Sequence, residues 1–214
     1  MMIEVLNSIS ILIAVWVAIY GIDSWRREHS GKRRLELAED ALSLFYEAAD
    51  AIRHIRHPAS FGSETESIVQ GEHESDSDFR ARKNASIVFL RYQQHSDLFN
   101  KLHAMRYRFM AQIGKAEARS FDDLREINNT IQGSARVLSH LWSRDNFVSD
   151  DQRARHRTEL AKYEAIFWEG LEEDDPINPR LELVIETFES VCRGIIAGDG
   201  TLYAVINKKL GVGS

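Results

Sequence analysis

Apolar and polar positions along the chain follow two regimes. From Val5 to Ile22 the side chains are mostly apolar and none is charged, whereas from Leu35 onward apolar residues recur every three or four positions among charged ones. The second pattern belongs to helices that bury one face. Leu35, Ala38, Ala41, Leu42, Phe45, Ala49 and Ile52 make one such stripe, and Pro58 ends it. A second helix is predicted from near Asp78, with Ile87, Val88, Phe99, Leu102, Met105, Phe109 and Ile113 on its buried face. Ser120 with Asp123 reads as a capping box opening a third helix along Leu124, Ile127, Ile131, Leu138 and Trp142. Ser149 with Gln152 opens a fourth along Leu160, Tyr163, Phe167 and Leu171 in the same way. Asn178 followed by Pro179 opens a fifth along Leu181, Val184, Ile185, Phe188, Val191 and Ile195. Gly198-Asp199-Gly200 interrupts it, and Leu202 to Leu210 is expected to form a short last turn.

Between the first two helices, residues 59–78 carry Gly, Ser and the acidic side chains Glu64, Glu66, Glu72, Glu74, Asp76 and Asp78, without a Lys or Arg. That composition predicts a flexible loop. No period-two strand pattern and no internal repeat interrupts the helical series. The expected fold is therefore all-α: an N-terminal single-pass transmembrane helix followed by a cytoplasmic bundle of about four to five helices. Its segments are an anchor over 1–25, a basic segment and first bundle helix over 26–57, the acidic loop over 58–77, the remaining helices over 78–200, and a tail over 201–214.

The anchor expectation rests on Val5–Ile22. As a helix this stretch rises about 27 Å, against a hydrocarbon core of about 30 Å. Asn7, Ser8 and Ser10 weaken its first half, so a buried core helix is the competing expectation. Tyr20 and Trp25 suit the headgroup level, and Arg26, Arg27, Lys32, Arg33 and Arg34 follow, suited to anionic lipid headgroups. With no Lys or Arg before the run, the basic excess predicts insertion in the inner (plasma) membrane, N-terminus outside and C-terminal domain in the cytoplasm. A cleavable leader would carry its charge in the opposite order. An interfacial helix would need a polar face, which Ile11–Ile19 lacks. Asn7, Ser10, Ala14, Ala18 and Gly21 form a stripe of small or polar residues through which two such helices can associate.

Composition narrows the classes further. With 43% hydrophobic and 28% charged residues a packed core can form, and the single cysteine, Cys192, permits no intrachain disulfide. A net charge of −6 argues against a nucleic-acid partner. Arg106, Arg108 and the run from Arg153 to Arg157 are interleaved with acids and make no extended basic stripe. Phosphate-binding glycine loops, His-Glu-x-x-His, paired Cys-x-x-Cys and Gly-x-Ser-x-Gly are all missing, so no catalytic residue and no cofactor is assigned.

Two clusters carry the remaining chemistry. Glu47, Asp50, His54 and His57 lie along one side of the first helix, at a spacing compatible with a divalent metal. That side points about 150° from the Phe45/Ile52 stripe, which predicts a face that meets water or another subunit instead. Arg91, His95 and Arg106 fall on the apolar face of the second helix, near Leu98, Leu102 and Phe109. Buried charges there need partners. The structural expectation is a carboxylate, with Glu126, Glu164 and Glu186 among the candidates, and the functional one is an anionic small ligand or an interface with another subunit. Trp142, Phe167, Trp168 and Phe188 are expected to fill the core rather than line a pocket.

The leading expectation is a non-catalytic, membrane-anchored interaction module that forms a homo-oligomer and meets membrane lipids and a protein partner. The alternatives are a tethered sensor or effector binding an anionic ligand at Arg91, His95 and Arg106, and a metal-dependent enzyme built on Glu47, Asp50, His54 and His57.

Overall fold

The computed structural model describes residues 2–60, 62–144, 146–171 and 175–197, with the side chains of residues 2–10, Leu12, Asp23 and Arg27 outside the description. Its helices are α1 (Met2–Arg56), α2 (Asp76–Gln94), α3 (Ser96–Gln112), α4 (Arg119–Leu141), α5 (Asp150–Phe167) and α6 (Asn178–Ile196), with a 3-10 turn at Gly62–Thr65. No strand occurs among the described residues, and the fold is all-α. The chain divides into two compact units, residues 1–40 with 193–214, and residues 41–192.

The core of the second unit follows the predicted stripes. Ala41, Phe45, Ala49 and Ile52 of α1 are buried, as are Val88 of α2, Phe109 of α3, Leu124, Ile127, Ile131 and Leu138 of α4, and Leu181 and Phe188 of α6. Phe45, Phe109, Phe121 and Phe188, one ring from each of four helices, meet at its centre. Phe45 stacks on Phe188 at 3.8 Å between centroids and meets Phe121 edge-on at 4.8 Å. Large rings bring the most apolar area per residue, so this four-way contact is where removing one side chain would cost most, about 3–5 kcal/mol. Trp142, Phe167 and Trp168 form a second group, with edge-on contacts at 5.3 and 4.4 Å.

Local starts and stops depart from the sequence pattern in four places. The helix expected to run from Asp78 to Ile113 is two, because His95 (φ −102°, ψ 11°) ends α2. Its N–H bonds to the Tyr92 carbonyl, a tight closure that stops the α-helical register, while its own carbonyl receives Phe99 N–H and starts α3. Ser120 is not a cap: α4 begins one residue earlier, after Ala118, and Ser120 is buried inside the first turn. Backbone turns from Arg119 to Ala116 and from Phe121 to Ala118 already use the first N–H groups. Asn178 stands at the start of α6, but the side chain accepting from Ile177 and Asn178 N–H is that of Asp175. Leu171, expected on the buried face, is 52% exposed, because α5 has already ended at Phe167. The Ser149 cap is as expected, its hydroxyl accepting from Gln152 N–H at 3.3 Å.

α1 is helical without interruption through Ser30 and Gly31. The transmembrane helix expected within it is not supported: among the described residues no helix is long and apolar enough to cross a membrane. Gly198, Asp199, Gly200 and the turn expected at Leu202–Leu210 lie outside the described residues.

Candidate functional site

Two arginines make the most densely bonded part of the second unit. Arg56 continues the Phe45, Ala49, Ile52 stripe by one more helical step, so its side chain is carried into the core, where it is fully buried. The last carbonyls of any helix lack partners. Arg56 supplies them for α5, donating from Nε to Ile166 O at 2.9 Å and from Nη2 to Ala165 O and Trp168 O at 2.9 and 3.0 Å. Nη1 donates to Asn178 Oδ1 at 3.0 Å, and Nη2 reaches Asp175 Oδ2 at 2.9 Å. The Arg56 carbonyl in turn receives Glu169 N–H at 2.8 Å. Just beyond this junction stands Gly170, whose φ of 72° is a conformation that favours glycine.

Burial pushes the Asp175 carboxyl up. Arg56 and the N–H groups of Asn178 and Ile177 outweigh that push and hold it below the ordinary aspartate value.

Arg91 does the same for α1. It shares a face with Ile87 and Val88 and is 2% exposed. Nη1 donates to His57 O at 2.6 Å, with longer contacts to His54 O and Ile55 O, and Nη2 donates to Ala59 O at 2.7 Å. Glu64, from the 3-10 turn, takes Nε at 2.7 Å and Nη2 at 3.1 Å in a two-pronged pair. The acidic loop is thus tied down at a specific carboxylate. It is tied again where Glu74 accepts two bonds from Arg82 at 2.7 Å, which, with the Gly71 N–H, pull its pKa down to about 2. All five Arg91 donors are engaged, so the guanidinium has none left for a ligand. Its carboxylate partner is Glu64 and not Glu126, Glu164 or Glu186; of these, Glu164 accepts from Trp142 Nε1 at 2.7 Å and Glu126 pairs with Arg180 at 3.5 Å.

His95, at the α2–α3 break, lies 3.0 Å through Nε2 from His54 Nδ1 on α1. One ring must donate and the other accept, so the contact requires a neutral nitrogen. Partial burial lowers the His54 pKa, and the positive potential of His95 and Arg91 lowers it further. Arg106 has a separate partner, Asp122, at 2.8 Å, and Asp122 also binds Arg125 at 3.1 Å. The structure therefore brings Arg91 and His95 to the end of α1 and engages Arg106 elsewhere; the three do not form one ligand site.

The four residues of the metal expectation are exposed, as the wheel predicted. Glu47 accepts from Ser43, Asp50 pairs with Arg53 at 3.2 Å, His54 meets His95, and His57 Nδ1 accepts from Ala59 N–H at 3.3 Å. Among the described residues no group of three or more His, Cys, Asp or Glu is placed to hold a metal ion. In the first unit Ala14, Ala18 and Gly21 are exposed, as are Arg26, Lys32, Arg33 and Arg34, whereas the side chains of Asn7, Ser10 and Arg27 lie outside the described residues. The sequence pattern did not single out Arg56, Glu64 or Asp175. Arg56 had a usable signal, a charge in register with an apolar stripe; Glu64 had none beyond membership of an acidic loop.

The class defined by these features is an all-α protein whose helix ends are sealed by buried arginines. No family model matches the chain, and no curated protein or solved structure is significantly similar to it.

Proposed function

We propose that the protein is a membrane-anchored interaction module: the N-terminal part of α1 enters the lipid, its basic border meets inner-leaflet headgroups, and the helical unit faces the cytoplasm to engage a protein partner. The observation that carries this reading is the exposure of Ile11, Ile13, Val15, Trp16, Val17, Ile19, Tyr20 and Ile22, each between 51% and 66%. Successive helical residues turn by about 100°, so these eight cover about 240° of the circumference. A helix that apolar over that much of its surface needs an apolar surrounding. Arg26, Lys32, Arg33 and Arg34, exposed just beyond, supply the charge border.

The sector left open by the large side chains belongs to Ala14, Ala18 and Gly21, in register with Asn7 and Ser10. This supports self-association through that sector, since small residues let two backbones approach in lipid.

The test is fractionation of the full chain expressed in bacteria. It is expected in the membrane pellet, resistant to alkaline extraction, and released when Val15, Val17 and Ile19 are replaced by Arg. Wild-type protein in the supernatant without detergent overturns the anchor. Purified in detergent, the chain is expected to sediment as an oligomer and Ala14→Leu/Ala18→Leu as a smaller species; a wild-type monomer overturns the assembly.

A further inference from the structure

A cavity of about 190 Å³ opens where the last turn of α2, α3 and α4 meet, and its lining divides by chemistry. Leu102, Phe121 and Leu124 make an apolar floor. Tyr92 and Phe99, stacked on each other at 4.8 Å between centroids with 7° between their planes, line one side. The rest is rich in donors, including His103, Arg106, Arg125 and Asn128, and no Asp or Glu contributes to the lining.

One feature shows that this polar wall is incompletely satisfied. Arg106 and Arg125 share one carboxylate, Asp122, and Arg106 Nε is buried without an acceptor among the described residues. Asn128, 6% exposed, stands on the same wall. The open Nε calls for an oxygen-bearing anion, and the apolar floor for an apolar body attached to it. The volume falls below the roughly 300–1,000 Å³ of sites for drug-sized ligands, which limits the body to a single ring or a small fused pair.

We infer that this cavity binds a small aromatic carboxylate, its ring against Tyr92 and Phe99 and its carboxylate toward Arg106, Arg125 and the Asn128 amide. This is independent of membrane anchoring and adds a small-molecule input to the second unit.

Isothermal titration of the full chain with benzoate and indole-3-carboxylate, with benzamide and acetate as controls, tests it. Benzoate or indole-3-carboxylate is expected to bind at least tenfold more tightly than benzamide or acetate. Arg125→Gln, at a half-exposed position, and Asn128→Leu, which replaces the amide with an apolar group of similar size, are each expected to weaken binding at least fivefold. Thermal melts confirm that both variants fold. Equal affinity for benzamide, no heat with either carboxylate, or undiminished binding in both folded variants overturns the inference.

Discussion

Arg56 and Arg91 meet at one helix end and seal two. Arg91 reaches from α2 to the carbonyls of His54, Ile55 and His57, closing α1, while Arg56, within that same turn, sends its guanidinium on to the carbonyls that end α5. The three helices are joined end to end by backbone oxygens that would otherwise lack donors. Apolar packing alone cannot provide this, because it leaves the terminal carbonyls unbonded.

Breaking the Arg91 arrangement from one side leaves a buried charge. Glu64→Gln is expected to lower unfolding free energy by about 3 kcal/mol, and Arg91→Met by about 3–5 kcal/mol. The double variant is expected to cost clearly less than the two single losses together, since neither charge is then stranded. Urea unfolding of all four proteins measures this, and simple additivity would show that Glu64 is not the counter-charge.

At Arg56 the geometry of the fork matters more than the charge. Lysine keeps the charge but has three donors on one nitrogen, so Arg56→Lys is expected to cost about 2 kcal/mol or more. Arg53→Lys, at the exposed pair with Asp50, is expected to change stability by less than about 0.5 kcal/mol. Asp175 adds a pH dependence: its lowered pKa gives stability that is complete above the ordinary aspartate value of about 4 and lost as pH falls through the folded value. Thermal melts between pH 2 and pH 5, with Asp175→Asn as control, check the sign.

The His54–His95 contact acts at milder acidity. His54 has a lowered pKa, so below the ordinary histidine value of about 6.5 the unfolded chain takes up a proton that the folded chain resists. Stability is expected to be complete above that pH and to fall as pH drops from it toward the folded value. Histidine NMR titration should give a His54 midpoint below the ordinary histidine value, and His95→Phe should raise it by removing one positive neighbour. A His54 midpoint at or above the ordinary value would contradict the geometry.

Cys192 is fully buried, and burial pushes its thiol pKa up to about 12. Only the thiolate reacts quickly with disulfide reagents. Labelling at pH 8 is therefore expected to be at least about a hundredfold slower in the native protein than in urea, because both access and ionisation are withheld. Rapid native labelling would place α6 away from its packing partners.

Much of the fold is legible in the apolar spacing, because α1, α4 and α6 each bury one clean stripe: Phe45 and Ile52, Ile127 and Ile131, and Leu181 and Phe188. The break at His95 is not legible, since no Gly or Pro marks it and a tight backbone closure makes it. The candidate site is half legible. A charge in the Val88 register flags Arg91 as needing a partner, but which of many carboxylates answers depends on how residues 59–65 fold back, and local spacing carries no such information. Ser120 misleads for a related reason: a motif that satisfies N–H groups is redundant where a backbone turn has already done so.

The Arg56 contacts also bear on how the chain is made. Their acceptors lie 109 to 122 residues downstream. During synthesis, therefore, α1 leaves the ribosome well before the carbonyls its last arginine must meet have been translated. For that interval the nascent chain carries an unshielded cation at the tip of an apolar stripe, which favours late, concerted closure over stepwise assembly and makes the half-translated protein a natural client for chaperones.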